Sequence, residues 1–148
     1  MTRIPQIDLT GSKTEMGNLL HQEITKEIIG AAFEVYNELG YGYLEKIYQR
    51  AMQVELLRRN LKCELEHPIA VRYKDIIIGD YQADLLVEGK VIAELKVAPS
   101  YCPADEAQLI NELKSTGIRI GLLINFGRAK VEFKRMIFLI REIRVIGG

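Results

Sequence analysis

Tryptophan is absent from this 148-residue chain, and cysteine and histidine occur only twice each. Cys63 and Cys102 form no CxxC pair and no Cys/His cluster, and neither His21 nor His67 has a partner at metal-ligand spacing. No window approaches the roughly 18 uninterrupted apolar residues of a membrane span, which predicts no membrane partner. The opening stretch MTRIPQIDLTGSKTEMG lacks the apolar core of a secretory signal. A cytoplasmic location and two reduced thiols are therefore expected. Excess charge of either sign is missing too: 20 Lys and Arg face 20 Asp and Glu, which argues against a strongly basic coat protein for nucleic acid. Repeats and low-complexity tracts are absent.

What remains is globular in kind. Hydrophobic residues make up 48% and charged residues 27%, and a chain this long buries roughly 70% of its unfolded surface around one core. The charge is unevenly spread, at −5 over residues 1–109 and +5 over residues 110–148. Such asymmetry occurs in nucleic-acid faces and in ordinary solvated surfaces alike. Lys114, Arg119, Arg128, Lys130, Lys134 and Arg135 are candidates for phosphate contact, with a solvated face as the default. Tyr41, Tyr43, Phe126 and Phe133 have the chemistry to stack on bases, with packing as the default.

Residues 1–22 are polar and without a sustained period, and read as an N-terminal arm, mobile or extended. Residues 23–148 read as one domain. From Glu23 a helical stripe runs through Ile24, Ile28, Ala32, Val35 and Leu39 and ends at Gly40 and Gly42. A second helix is expected to bury Leu44, Ile47, Ala51, Val54, Leu57 and Leu61. Strands follow over 63–73, 76–87 and 91–97, with turns at Lys74-Asp75 and Glu88-Gly89. A loop bracketed by Pro99 and Pro103 leads to a helix over 105–116, and an apolar run over 118–126 reads as a buried strand. The remainder, 131–146, predicts one or two more strands. The fold class is α+β, a meander with a crossover helix and a returning strand.

The chemistry concentrates in YQADLLVEGKVIAELKV, residues 81–97. Glu94 and Lys96, two apart on one strand, share a face, whereas Val91, Ala93, Leu95 and Val97 point the other way. Asp84 lies on the preceding strand. Two carboxylates suit a hard cation such as Mg²⁺, which takes one or two of them plus water and phosphate oxygens. A lysine beside them can orient or deprotonate water, or stabilise charge on phosphate. The alternative is a turn carboxylate and an exposed ion pair of little consequence. Convergence has a geometric condition. A two-residue Glu88-Gly89 loop would point Asp84 away from Glu94, while a three-residue loop with left-handed Gly89, or an equivalent bulge, sets both on one face.

Asp84 followed by Glu94-Leu95-Lys96 resembles the D…(D/E)xK core of the PD-(D/E)xK nuclease superfamily, and the α-β-β-β-α-β order is similar to its restriction-endonuclease-like core. Gly42-Tyr43-Leu44-Glu45-Lys46-Ile47-Tyr48 resembles the signature of the bacterial GxxExxY family within it. ADLLVE, ELK, Gln108 and GLLINFG extend the resemblance over about residues 23–140. It implies a nuclease that uses Mg²⁺ or Mn²⁺ on DNA or RNA, with Asp84, Glu94 and the Leu95 carbonyl as metal ligands and Lys96 as catalytic lysine. Glu45 is implied to join the metal site as a ligand or through water and Gln108 to face the site, both as catalytic residues. Tyr48 is expected to pack with its hydroxyl tied to the site. Two residues depart from the pattern: Ala83 stands where proline is common, and Glu112 follows Asn111 where the family often has an aromatic residue. A catalytically inactive nucleic-acid-binding module is the alternative. A protein-interaction module is another, such as a homodimer paired through the apolar segment IFLIREIRVI.

Overall fold

The computed structural model describes residues 20–127 and 129–139. Helices α1 (Gln22–Leu39) and α2 (Glu45–Arg58) precede strands β1 (Cys63–Tyr73), β2 (Ile76–Val87) and β3 (Val91–Lys96). Helix α3 (Pro103–Thr116) then crosses to β4 (Ile120–Asn125), and β5 (Glu132–Ile137) follows. The strands form one mixed sheet in the order β1-β2-β3-β4-β5. Among the described strands only β3 and β4 run parallel, and their connection is the crossover helix that a parallel pair needs. The expected α+β order holds element by element.

Helices α1 and α2 cover one face of the sheet, over Leu85, Val87, Val91, Ala93, Leu95 and the β4 residues Ile120, Leu122 and Ile124. Helix α3 covers the other through Leu109 and Leu113, against Ala83, Leu86, Ile92 and Leu123. Alternation along β3 therefore sends Leu95 toward α1 and α2, and Glu94 and Lys96 toward α3. Pro103 begins α3 where its missing N–H costs nothing, and Asp105 and Glu106 lie in the first turn, where the helix dipole favours acids. Gly117 ends it in the left-handed conformation, φ 80°, donating its N–H to the Leu113 carbonyl at 2.9 Å.

Helix α1 buries Ile28, Ala32 and Val35 as the stripe predicts. Helix α2 does not follow expectation. Its buried residues are Tyr48, Gln49, Met52 and Leu56, whereas Leu44, Ile47, Val54 and Leu57 are exposed by 44–78%. The helix carries two apolar stripes about half a turn apart, and periodicity alone does not rank them. Tyr48 decides the rotation. Its ring stacks on Phe126 at a centroid distance of 4.5 Å, and its hydroxyl donates to the Gly40 carbonyl at 2.6 Å. That hydroxyl closes the α1–α2 connection and does not reach the acidic residues, contrary to expectation. Arg59 adds a tie by donating to Glu55 and to Glu27 of α1, at 2.9 and 3.0 Å.

Other expectations resolve simply. Phe126 and Phe133 are core residues. Arg135 is 3% exposed and donates to the Leu20 carbonyl, so it presents no phosphate-binding surface. Cys63 is a buried free thiol and Cys102 an exposed one. Among the described residues, no helix is long and apolar enough to cross a membrane. Residues 1–19, Arg128 and the end of the IFLIREIRVI segment lie outside the described residues.

The orientation of α2 makes a direct prediction. Met52→Ala should destabilise the protein by about 2–5 kcal/mol, whereas Val54→Ala should stay within about 0.5 kcal/mol. Urea unfolding of both variants checks it, and equal losses would contradict the rotation described.

Candidate active site

The site begins where a ladder ends. β2 and β3 pair through Val87↔Val91, Leu86↔Ile92 and Leu85↔Ala93 and no further. Three residues separate Val87 from Val91, so the register meets the condition for convergence. Glu88 and Gly89 are both left-handed, at φ 55° and 66°, and the Lys90 N–H donates to the Val87 carbonyl at 2.9 Å. The loop therefore has the expected length with a second left-handed residue. One step beyond Leu85 and Ala93, Asp84 and Glu94 are brought opposite one another as the strands part.

Their side chains take over from the ladder. Glu94 Oε2 accepts the Asp84 N–H at 3.1 Å, and Asp84 Oδ2 accepts the Leu95 N–H at 2.8 Å. Each carboxylate thus satisfies a backbone donor that the separation of the strands would otherwise leave unpaired. The irregularity extends to β1, which pairs Leu65↔Leu85 and His67↔Ala83 but skips Glu66, a residue at φ 52°. A small open cleft of about 80 Å³ lies here, lined by Glu45, Lys46, Gln49, Glu66, Asp84 and Leu95.

Helix α2 serves this cleft. Glu45 comes from its first turn, and Gln49, one turn later, donates to the Asp84 carbonyl at 3.0 Å. Lys46 closes one side through an ion pair with Glu66 at 2.5 Å. Helix α3 serves the opposite face of the fork. Asp105 Oδ1 is 3.4 Å from the Lys96 ammonium, and Gln108 donates to Glu112 Oε2 at 3.0 Å. Asp84, Glu94, Leu95, Lys96 and Glu45 are brought together, whereas Gln108 reaches the group through Glu112. Sequence reasoning missed Gln49, Asp105 and Glu112 as site residues. Its available signal was helical spacing: Gln49 is four residues after Glu45, and Asp105, Gln108 and Glu112 recur at steps of three and four.

The loop after β3 is pinned by Asn125, fully buried at the end of β4. Its side chain accepts from Ala98 and Gly127 N–H groups at 3.1 and 2.8 Å and donates to the Ala98 carbonyl at 2.8 Å. A Cβ on Gly127 would sit 2.4 Å from the Ala98 nitrogen, so glycine is required for this close approach. Lys96 is thereby anchored just before the chain turns away.

Negative charge is poorly compensated. Burial, then the Asp84 charge, then Glu112 push the Glu94 carboxyl up to about 10. Burial is also the largest cause raising Asp84, Glu112 and Glu45. Burial lowers Lys96, but Asp105, Glu45 and Glu94 together outweigh it and leave the lysine above its ordinary value. Among the described residues, no three His, Cys, Asp or Glu side chains gather to hold an ion by themselves. Asp84, Glu94 and the Leu95 carbonyl would nevertheless offer an all-oxygen donor set. It fits a hard dication whose remaining positions are left to water and phosphate.

A model of the PD-(D/E)XK nuclease superfamily matches residues 22–136. The chain belongs to that superfamily. Asp84, Glu94 and Lys96 at the fork lie within the matched residues. A solved structure described as "Crystal structure of SSO0001" superimposes with a TM-score of 0.52 at 16% identity, covering 69% of this chain. This chain spans 54% of that protein's length, and the likeness concerns the fold, a restriction-endonuclease-like α+β core. No curated protein matches the chain.

The raised carboxyls fix the sign of a pH effect. A group whose pKa is higher folded than unfolded stabilises the protein at low pH and loses that contribution as pH rises through the folded value. For Glu94 the window runs from 4.5 to about 10. In chelator, the melting temperature should fall across this window, and Glu94→Gln should flatten the fall and melt above wild type at about pH 8. Thermal melts of both proteins test this, and a wild type indifferent to pH over the window would contradict it.

Proposed function

We propose that this protein is a divalent-cation-dependent nuclease that hydrolyses phosphodiester bonds of DNA or RNA at the β2–β3 fork. The observation that carries this reading is the interlocking of Asp84 and Glu94 where their strands part, with Lys96 presented from the same strand as Glu94. Asp84, Glu94 and the Leu95 carbonyl would hold Mg²⁺ or Mn²⁺. Such an ion polarises a phosphoryl oxygen and makes a bound water a better nucleophile.

The chain's own groups supply the rest. Lys96, paired with Asp105 at 3.4 Å, acts as an ammonium that stabilises charge on the phosphate and orients water. Glu45 lines the cleft and is placed to accept a hydrogen bond from a water there. Gln49 holds the Asp84 backbone, and Gln108 acts through Glu112. The Gly42–Tyr48 signature supports placement in the GxxExxY family, and the extent of the superfamily match supports a single nuclease-like domain over residues 23–148.

Incubation with single- and double-stranded DNA and with RNA, in Mg²⁺ or Mn²⁺, tests the reading. Cleavage is expected with at least one polymer, abolished by chelator and reduced on the order of 10²–10³-fold by Lys96→Ala. Cleavage unchanged by that substitution, or none with any polymer and metal, would overturn it. Salt-sensitive binding without metal-dependent cleavage would mark the inactive binding module instead.

A further inference from the structure

Glu112 is fully buried between α3 and the sheet. Its Oε2 accepts the Gln108 amide, whereas Oε1 meets no hydrogen-bond partner. Its immediate sequence neighbour Leu113, and Leu109 one turn earlier, are core side chains. The polar group against its carboxyl is another acid, Glu94, itself 3% exposed. Lys96, the ammonium on the same face of the sheet, is paired with Asp105. Buried carboxylates in proteins are paired, fully hydrogen-bonded or directed at cations. Glu112 is incompletely hydrogen-bonded, and the group it faces is the inner of the two motif carboxylates.

We propose that Glu112 is a positioning residue of the cation centre: it backs the Glu94 carboxyl from the α3 side, limiting where that group can sit, and adds a further acidic charge that raises the centre's affinity for a divalent ion. The inference rests on the reading of Asp84 and Glu94 as the ion's carboxylate ligands. Glu112 is fully buried and approaches the centre from behind Glu94, so its action runs through Glu94 and not through a bond to the ion. Gln108 has a matching part, because its amide fixes one Glu112 oxygen and leaves the other without a hydrogen bond. Helix α3 therefore contributes to both motif side chains on its face of the sheet, with Asp105 on Lys96 and Glu112 on Glu94. Partners that orient a metal ligand in this way typically change affinity by about 10–100-fold when altered.

The test is calorimetric titration of Mn²⁺ into the whole, metal-free protein, with its melting temperature measured alongside. Glu112→Gln keeps the shape and removes the charge. It should melt at or above wild type, because a buried uncompensated carboxylate is gone, yet bind Mn²⁺ at least about 10-fold more weakly. A purely structural Glu112 would change the melt without changing the affinity. Mn²⁺ affinity within about twofold of wild type would overturn the proposal, the factor being well below that range. Should that variant fail to fold, Glu112→Leu carries the same comparison, since similar-volume hydrocarbon in place of a buried charge is commonly neutral or stabilising. Glu94→Gln separates the two levels of inference. Weak binding in Glu94→Gln with normal binding in Glu112→Gln overturns only the role of Glu112. Absent binding in wild type, or unaltered binding in Glu94→Gln, removes the cation centre and this proposal with it.

Discussion

Two hydrogen bonds at the β2–β3 fork hold the arrangement together: Asp84 N–H to Glu94 Oε2, and Leu95 N–H to Asp84 Oδ2. An antiparallel pair that separates inside a protein strands the donors that its ladder would have used. Here the two carboxylates take those donors, so the same atoms that cap the opening are the candidate ligands. Backbone satisfaction and chemistry are thus linked. Both bonds cross between the strands, so a shift of one strand past the other would separate each acid from its donor, and the site depends on this register.

The layers on either side divide the work. Helix α2 brings Glu45 and Gln49 to the cleft, and its rotation is set by Tyr48 between Phe126 and the Gly40 carbonyl. Helix α3 presents Asp105 and Glu112 to the other face, against Lys96 and Glu94. The Asn125 side chain closes the loop leaving β3. The site is therefore supported by ordered elements on both faces of the sheet. Its cost is electrostatic, since four carboxyl groups lie above their ordinary pKa because burial disfavours their charged forms. On the proposed nuclease reading, a cation bound there would offset that cost.

Much of this was legible in the linear chain. Period-two and period-four patterns located every described strand and helix, because a buried face imposes its spacing on the residues that form it. Asp84, Glu94 and Lys96 stood out because polar groups interrupt an otherwise apolar pair of strands. Helix α2 was misread because both of its stripes are apolar, and Leu44, Ile47, Val54 and Leu57 are as prominent as the residues that are buried. Periodicity reports that a helix has a hydrophobic face, but it does not say which of two faces meets the sheet. Glu112 escaped for a related reason: a glutamate in a helix is ordinarily a surface residue, and only burial against Glu94 makes it unusual.

The amino-acid order by itself determined the element order and singled out Asp84, Glu94 and Lys96 as candidates, since these depend on local spacing, while the loop length at Gly89 stood only as a condition. Tertiary structure alone decided the rotation of α2, the parting of β2 from β3, and the company that Glu94 keeps. Each of those depends on contacts between residues of different elements: Tyr48 with Phe126, Asp84 with Leu95, Glu94 with Glu112. Such contacts exist only when whole layers pack, so no local pattern encodes them.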